Sequence, residues 1–392
     1  MDFALSDDER QIQELAKGLA ARYFAPEALR WQRGDGVPRE NISRLVDAGL
    51  LGMTASPLLG GGGRPFTEAA LAIEAVGQVC PVTANYLHLA TTGPAVFLAM
   101  LGSDEQRQRF LPAIIGGQQI MSVSITEPDV GSAASDLRTR ARVEGDAVVV
   151  DGSKMFCGGA DVADVFVVFV RFGPGTRGIG ALIVDRDTPG FTVGPTESFM
   201  SGQHYAALYF DSARIPAGNV LAQEDAFGRL MTAYSIERCG AAAKCLGIAQ
   251  MALDKSISYI QQRKQFGREI AEFQGIQWTI AEMAMKLDHA RLVTYRALRN
   301  VDAGRYSAME CSIAKVVASE SAVYITDRAM QLHGGYGISQ GENLEWLYRL
   351  ARGYMVAGGT SEIHRNMVAA AVIGRRFSQR AAQSAPGQPS NA

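Results

Sequence analysis

Among the groups that could do chemistry, the first is a carboxylate set among small residues. In Tyr234–Gly247, YSIERCGAAAKCLG, Glu237 and Arg238 are followed by Gly240 and three alanines. Large apolar residues recur through and beyond this stretch at helical spacing, from Leu230 to Ile260. Small residues let a second backbone or a flat ligand come close, and a carboxylate there is costly to bury unless something pairs it or uses it. Two readings stand at this point, a structural ion pair near a helix start and a proton acceptor. The second candidate is Ser122–Asp136, SVSITEPDVGSAASD, where helix gives way to strand. Thr126, Pro128 and Gly131-Ser132 put hydroxyls and backbone N–H groups on one tight bend, which is either a Ser-rich turn or a cradle for a polar heterocycle or thioester. The remaining candidates are weaker. Gly60–Gly63 lacks the Lys-Ser or Lys-Thr of a phosphate loop and reads as a flexible connection. The five histidines are scattered, with no pair at zinc spacing; His333 reads as a loop-packing residue, and His88 as a helix-packing residue with pocket lining as its alternative. The five cysteines form no CxxC and read as free thiols in a reducing compartment.

The elements that position these groups fall into three blocks. Capping boxes at Ser6–Glu9 and Ser103–Gln106, with segments at Arg39–Ala48, Phe66–Val79 and Thr83–Leu101, make residues 1–120 helical. Residues 121–225 carry short Val-, Ile-, Phe- and Tyr-rich runs bounded by Gly, Pro and Asp, with turns expected at Asp151-Gly152 and Gly173-Pro-Gly175. Residues 226–376 return to long helices, expected at Phe227–Gln265, Phe273–Ala303, Ser307–Leu332, Glu345–Ala357 and Ser361–Ile373. The tail, 377–392, is expected to be disordered. With 38 basic against 40 acidic residues in 392, no electrostatic argument favours nucleic acid. No apolar run approaches a membrane span and no signal peptide is apparent, so a cytoplasmic protein is expected.

Several stretches together resemble the acyl-CoA dehydrogenase family: the start MDFALSDDERQIQ, Thr126-Glu-Pro with Gly131-Ser132, and GSKMFCGGADVADVF at Gly152–Phe166. Further along, Arg263-Lys-Gln-Phe-Gly267 with Phe273-Gln274, Gln331-Leu-His-Gly-Gly335 and Gly359-Thr-Ser-Glu-Ile363 follow in the same order as in that family. The resemblance implies an α+β multidomain fold, with an N-terminal α-helical domain, a central β-barrel or sandwich domain and a C-terminal four-helix bundle. It implies FAD bound across a subunit interface of a homotetramer (a dimer of dimers), an acyl-CoA substrate oxidised to the trans-2-enoyl-CoA, and electrons passed to an electron-transfer flavoprotein. The thioester carbonyl must be polarised, a carboxylate must take the α-proton and a hydride must leave Cβ for flavin N5.

Residue by residue, the resemblance assigns Val123, Ile125, Thr126, Gly131 and Ser132 to flavin and thioester contacts. It assigns Arg263, Gln274, Gln331, Gly334 and Gly335 to the FAD of a neighbouring subunit, and Thr360 and Glu362 to FAD contacts. Ser132, Ser235, Arg238 and Gly359 fall on the substrate side. Phe156 stands where the family often has Trp against the ring, and Gly158 where it usually has Thr or Ser. Most members carry the base immediately before Gly-Thr in the late loop, where this chain has Gly358. A minority, including isovaleryl-CoA and long-chain enzymes, supplies it from the first bundle helix, at the position of Glu237. Glu237 is therefore the expected base, with a raised pKa expected from a dry pocket, and Gly358 the expected backbone donor to the thioester oxygen. Three alternatives remain: a relative that cleaves a sulfinate from an acyl-CoA, against which Glu237 argues; a non-catalytic, FAD-supporting subunit of a hetero-oligomer; and an O2-using relative.

Overall fold

The computed structural model describes residues 4–34, 36–375 and 377. Apart from Phe377, the expected disordered tail lies outside the described residues.

The first block is helical: α1 (Asp7–Leu19), α2 (Ala28–Gln32), α3 (Arg39–Asp47), α4 (Phe66–Gly77), α5 (Pro81–Thr91), α6 (Ala95–Leu101) and α7 (Asp104–Ile115). Both capping boxes form. The Ser6 hydroxyl accepts from the Glu9 N–H at 3.2 Å while the Glu9 carboxylate accepts from the Ser6 N–H at 2.8 Å, and Ser103 and Gln106 repeat the exchange. The single helix expected over Thr83–Leu101 is instead α5 and α6. Pro94 has no N–H and disfavours helical geometry at Gly93, so the chain turns there, with the Gly93 N–H on the His88 carbonyl at 2.6 Å. The Gly60–Gly63 run is likewise not a loose connection. Its N–H groups donate to the Ser56, Gly52 and Ala55 carbonyls, and a Cβ on Gly61 would lie 2.2 Å from the Ala55 oxygen.

The second block is built of strands β1 (Met121–Ser124), β2 (Arg140–Glu144), β3 (Ala147–Gly158), β4 (Val165–Arg171), β5 (Ile179–Asp185), β6 (Phe191–Val193), β7 (Glu197–Ser198), β8 (His204–Pro216) and β9 (Val220–Ala222). They pair in the order β6-β8-β3-β2-β4-β5-β9, with β1 parallel on β4 and β7 on β8. The sheet folds over on itself: Phe191 of β6 and Phe166 of β4 are far apart in strand order, yet their rings meet at 5.3 Å. Because side chains alternate along a strand, β4 serves two cores. Phe166, Val168 and Val170 fill the interior of the β block, and Val165, Val167 and Phe169 face the helices, where Phe169 meets Phe97 edge-on at 5.9 Å. The turn expected at Asp151-Gly152 is a bulge inside β3, where the register with β8 slips between Val150 and Gly152. Gly152 is at φ 141°, and a Cβ there would lie 2.8 Å from Thr139 Cα.

The third block is α8 (Phe227–Gln262), α9 (Gln274–Asp302), α10 (Ala308–His333), α11 (Leu344–Tyr354) and α12 (Ser361–Ile373). The α10 helix packs on the other four. Helix α8 also meets α4 of the first block, backbone against backbone: a Cβ on Gly247 would lie 2.8 Å from both the Glu74 carbonyl oxygen and Gly77 Cα. Glu74 cross-links the blocks as well, with its carboxylate on Arg291 at 2.6 Å and on the Tyr295 hydroxyl. The Gly247→Ala substitution is expected to force the two helices apart and to lower the unfolding free energy by about 1–3 kcal/mol, an overpacking cost. Urea denaturation monitored by far-UV circular dichroism checks it.

Candidate active site

A cleft of about 1710 Å³ opens where the three blocks meet. Helix α8 forms one wall. Because residues three, four and seven apart share a helix face, Met231, Ser235 and Arg238 reach the cleft together, and Glu237 and Lys244, seven apart, reach it beside them. The Glu237 side chain is 14 % exposed. Its Oε1 lies 3.4 Å from His88 Nε2, and its Oε2 is buried with no hydrogen-bond partner among the described residues. His88 is placed by α5; its Nδ1 is 2.9 Å from the Thr92 hydroxyl. Burial first, and then the charge of Lys244, lower its pKa to about 4. At neutral pH it is therefore a neutral imidazole with Nε2–H toward Glu237 and Nδ1 accepting from Thr92.

The raised pKa expected for Glu237 is not found. Burial does push it up, but the His88 hydrogen bond and the nearby charges of Lys244 and Arg238 outweigh burial and hold it below the usual carboxylate value. With His88 neutral, the charges that act are those of Lys244 and Arg238. The two lysines near the site pay for their burial: both Lys244 and Lys315 are lowered to about 8, burial being the main cause.

The late loop between α11 and α12 supplies the facing edge. Gly358 and Gly359 are at φ 74° and 99°, in the left-handed region that glycine enters without strain. Arg238 Nε donates to the Gly358 carbonyl at 2.8 Å, His364 Nε2 lies 3.2 Å from the same oxygen, and Lys315 Nζ donates to the Gly359 carbonyl at 2.6 Å. A Cβ built on Gly358 would sit 3.7 Å from Glu237 Oε2. The two positions therefore face the same space. Thr360 caps α12, its hydroxyl accepting from the Ile363 N–H at 3.3 Å.

The strand side is formed by Val123 of β1, by Ile125, Thr126, Gly131 and Ser132 after it, and by Phe156 and Gly158 at the end of β3. Phe156 is held at φ 55° by a bulge between Lys154 and Cys157, and remains 53 % exposed beside Tyr205. A positive φ is uncommon for a bulky residue and marks a site where the surroundings impose it. A Cβ on Gly158 would meet nothing within 4 Å, so the cleft is open at that point. The Thr126 bend is fixed from behind by Glu127, which accepts from the Arg138 N–H (2.5 Å), the Thr139 N–H (2.9 Å) and hydroxyl (2.7 Å), and from Lys154 Nζ (2.8 Å). Both members of the Glu127–Lys154 pair are buried. Lys154→Met is expected to strand a buried carboxylate and cost about 3–5 kcal/mol, with Glu127→Gln/Lys154→Met together costing less. Thermal unfolding of the three proteins checks the order.

Not all expected site residues converge. Arg263, Gln274, Gln331, Gly334 and Gly335 are exposed at one end of the bundle, where α8 ends, α9 begins and α10 ends, and do not line the cleft. Glu362 lies exposed in the first turn of α12, also outside it. His333 packs as expected, stacked on Tyr259 with centroids at 4.2 Å. His88 lines the cleft, the alternative to its packing role, and the cleft adds two residues the sequence did not single out, Lys244 and Tyr354. A lysine in the run Ala241-Ala-Ala-Lys-Cys245, seven residues after Glu237 on the same helix face, was a legible signal.

Family models for the N-terminal, middle and C-terminal domains of acyl-CoA dehydrogenase match residues 6–118, 122–213 and 226–373 in turn. The chain belongs to the acyl-CoA dehydrogenase family. Among acyl-CoA dehydrogenases and their kin it is 36 % identical to an acryloyl-CoA reductase (NADH) of Anaerotignum propionicum, over 96 % of this chain and 97 % of that one. It is 35 % identical to a 3-sulfinopropanoyl-CoA desulfinase of Paraburkholderia xenovorans, over 96 % and 99 %. The butyryl-CoA dehydrogenase structure of Megasphaera elsdenii superposes with a TM-score of 0.90 at 30 % identity, covering 95 % of this chain and all of that one. The cofactor of acyl-CoA dehydrogenases is FAD, and the cleft fits it. It is large enough, has an exposed aromatic wall at Phe156 and an open floor at Gly158, and carries a buried Ser124 hydroxyl without a partner among the described residues. Among the described residues no helix is long and apolar enough to cross a membrane and no cluster could hold a metal ion.

Proposed function

We propose that the chain oxidises an acyl-CoA thioester between Cα and Cβ to the trans-2-enoyl-CoA, with Glu237 as the proton acceptor. The observation that carries this reading is the Oε2 of Glu237, buried in the cleft opposite Gly358 with no hydrogen-bond partner among the described residues. Bound FAD supplies the two-electron acceptor for the hydrogen leaving Cβ. Val123, Ile125, Thr126, Ser132, Phe156 and Gly158 are the residues of this chain that would hold it, with Thr360 from the late loop. Lys244 and Arg238 keep Glu237 ionised, and the neutral Nε2–H of His88 fixes Oε1 so that Oε2 is left to take the α-proton. Gly358, turned by Arg238 and His364, presents backbone to the thioester carbonyl, the position where a donor stabilises developing negative charge. Ser235 and Arg238 border the path of the pantetheine. Arg263, Gln274, Gln331, Gly334, Gly335 and Glu362 serve FAD in a homotetramer. Exposed Phe266, Trp278 and Ile338 in the same part of the bundle support such a contact. The electron acceptor is an electron-transfer flavoprotein.

Run in reverse, the same geometry reduces an enoyl-CoA, with Glu237 donating the proton. A second reading is sulfinate loss, supported by the 35 % identical desulfinase. Anaerobic titration of the purified holoenzyme with saturated acyl-CoAs is expected to bleach the flavin. Sulfite release from 3-sulfinopropanoyl-CoA without bleaching by any saturated thioester favours the second reading.

A further inference from the structure

Glu237 is outnumbered. Arg238, Lys244 and Lys315 are only 6 %, 7 % and 2 % exposed. Their donors end on neutral oxygens: Arg238 and Lys315 on the Gly358 and Gly359 carbonyls, Lys244 on Asn85 Oδ1 at 2.9 Å. Lys244 also sits 5.0 Å from the centre of the Tyr354 ring. His88 and His364 add no charge at neutral pH, their pKa values being lowered to about 4 and about 3. Three buried cations thus surround one buried carboxylate, an arrangement that is costly unless another anion completes it.

Arg238 and Lys315 are engaged in holding the late loop. Lys244 is placed differently. It follows Glu237 by two turns of α8, about 10 Å along the same face, whereas Gly228, Thr232 and Ser235 border the cleft in the opposite direction. The cleft therefore runs along α8 with the carboxylate between its two arms, and the arm beyond Glu237 ends on an ammonium group, an amide and a phenol ring. An apolar acyl chain pushed into that arm would leave Lys244 with only Glu237, a charge it shares with Arg238 and Lys315.

We propose that this arm takes a short acyl chain ending in a small oxo-anion, a carboxylate or a sulfinate, with Lys244 as its cation and Asn85 and Tyr354 beside it. The proposal rests on reading the cleft as an acyl-CoA site. Dissociation constants are measured on the holoenzyme from flavin absorbance under anaerobic conditions. Succinyl-, glutaryl- and 3-sulfinopropanoyl-CoA are compared with butyryl-, pentanoyl- and 4-methylpentanoyl-CoA. The anionic thioesters are expected to bind roughly 30-fold or more tightly, the scale of a desolvated charge pair, and the carboxylate and sulfinate arms separate the two headgroups. In Lys244→Met the ratio should fall toward one, and in Lys244→Arg it should partly return. Equal or weaker binding of the anionic set to the unmodified protein overturns the proposal and needs no variant. A preference that survives in Lys244→Met also overturns the role of Lys244. Neutral thioesters that bind and bleach the flavin while anionic ones do not leave the acyl-CoA reading standing and overturn only this inference; failure of every thioester to bind overturns both.

Discussion

In the Glu237→Gln variant, FAD remains bound and the rate of flavin reduction by the best acyl-CoA falls by about 10²–10⁴-fold, the usual contribution of a positioned general base. Glutamine has nearly the same volume and can still accept from His88 Nε2–H, so the cleft keeps its shape. What is lost is the basic oxygen, Oε2, which has no other partner among the described residues. Stopped-flow absorbance under anaerobic conditions measures the rate, and the flavin spectrum of the purified variant reports cofactor retention. The pH profile carries a second sign. The base works when deprotonated, and Glu237 is held below the usual carboxylate value. The acid limb of kcat/KM for the free enzyme is therefore expected below the ordinary carboxylate range. Lys244→Met removes a charge that favours the ionised form, so that limb should move to higher pH.

The second large effect is a transposed carboxylate. On a Glu237→Gly background, Gly358→Glu is expected to restore about 10–100-fold of the lost reduction rate, a part of what a general base contributes. The basis is geometric: a Cβ at 358 points to within 3.7 Å of where Glu237 Oε2 stands. Recovery should be partial for two reasons. Residue 358 is at φ 74°, which costs a non-glycine residue roughly 1–2 kcal/mol, and the new carboxylate would not inherit the His88 hydrogen bond. Single-turnover reduction of the double variant, compared with Glu237→Gly alone, checks it. No recovery would show that the two positions do not serve one reacting carbon.

Much of the fold was legible because its signals are local. The capping residues Ser6 and Ser103, the apolar spacing of α8 and the glycine and proline boundaries each depend on a few neighbours, and α12 lies at the expected Ser361–Ile373. Errors arose where local and tertiary preferences differ. Asp151-Gly152 has turn chemistry, yet the close approach of Thr139 makes it a bulge within a long strand. The apolar run from Thr83 to Leu101 reads as one helix until Pro94 is allowed to divide it.

The site was legible in the same uneven way. Glu237 stood out because a carboxylate among glycine and alanine needs a reason. Its surroundings did not, because they come from distant parts of the chain: His88 from α5, and Tyr354 and Gly358 from the region around α11. The direction of its pKa was misjudged for that reason. Burial alone raises it, and only the assembled structure shows Lys244, Arg238 and the His88 N–H lowering it. Arg263, Gln274 and Gln331 lie apart from the cleft within one chain, and it is the resemblance, not residue spacing, that assigns them to a neighbouring subunit's FAD.

In the proposed reaction Glu237 removes a proton from the carbon next to the thioester carbonyl. This step is tested most directly with an acyl-CoA whose Cβ is replaced by sulfur, which cannot be dehydrogenated but can still lose its α-proton. In D2O, nuclear magnetic resonance is expected to show α-hydrogen exchange catalysed by the unmodified holoenzyme and abolished in the FAD-loaded Glu237→Gln variant. Exchange at an unchanged rate in that variant would contradict the account.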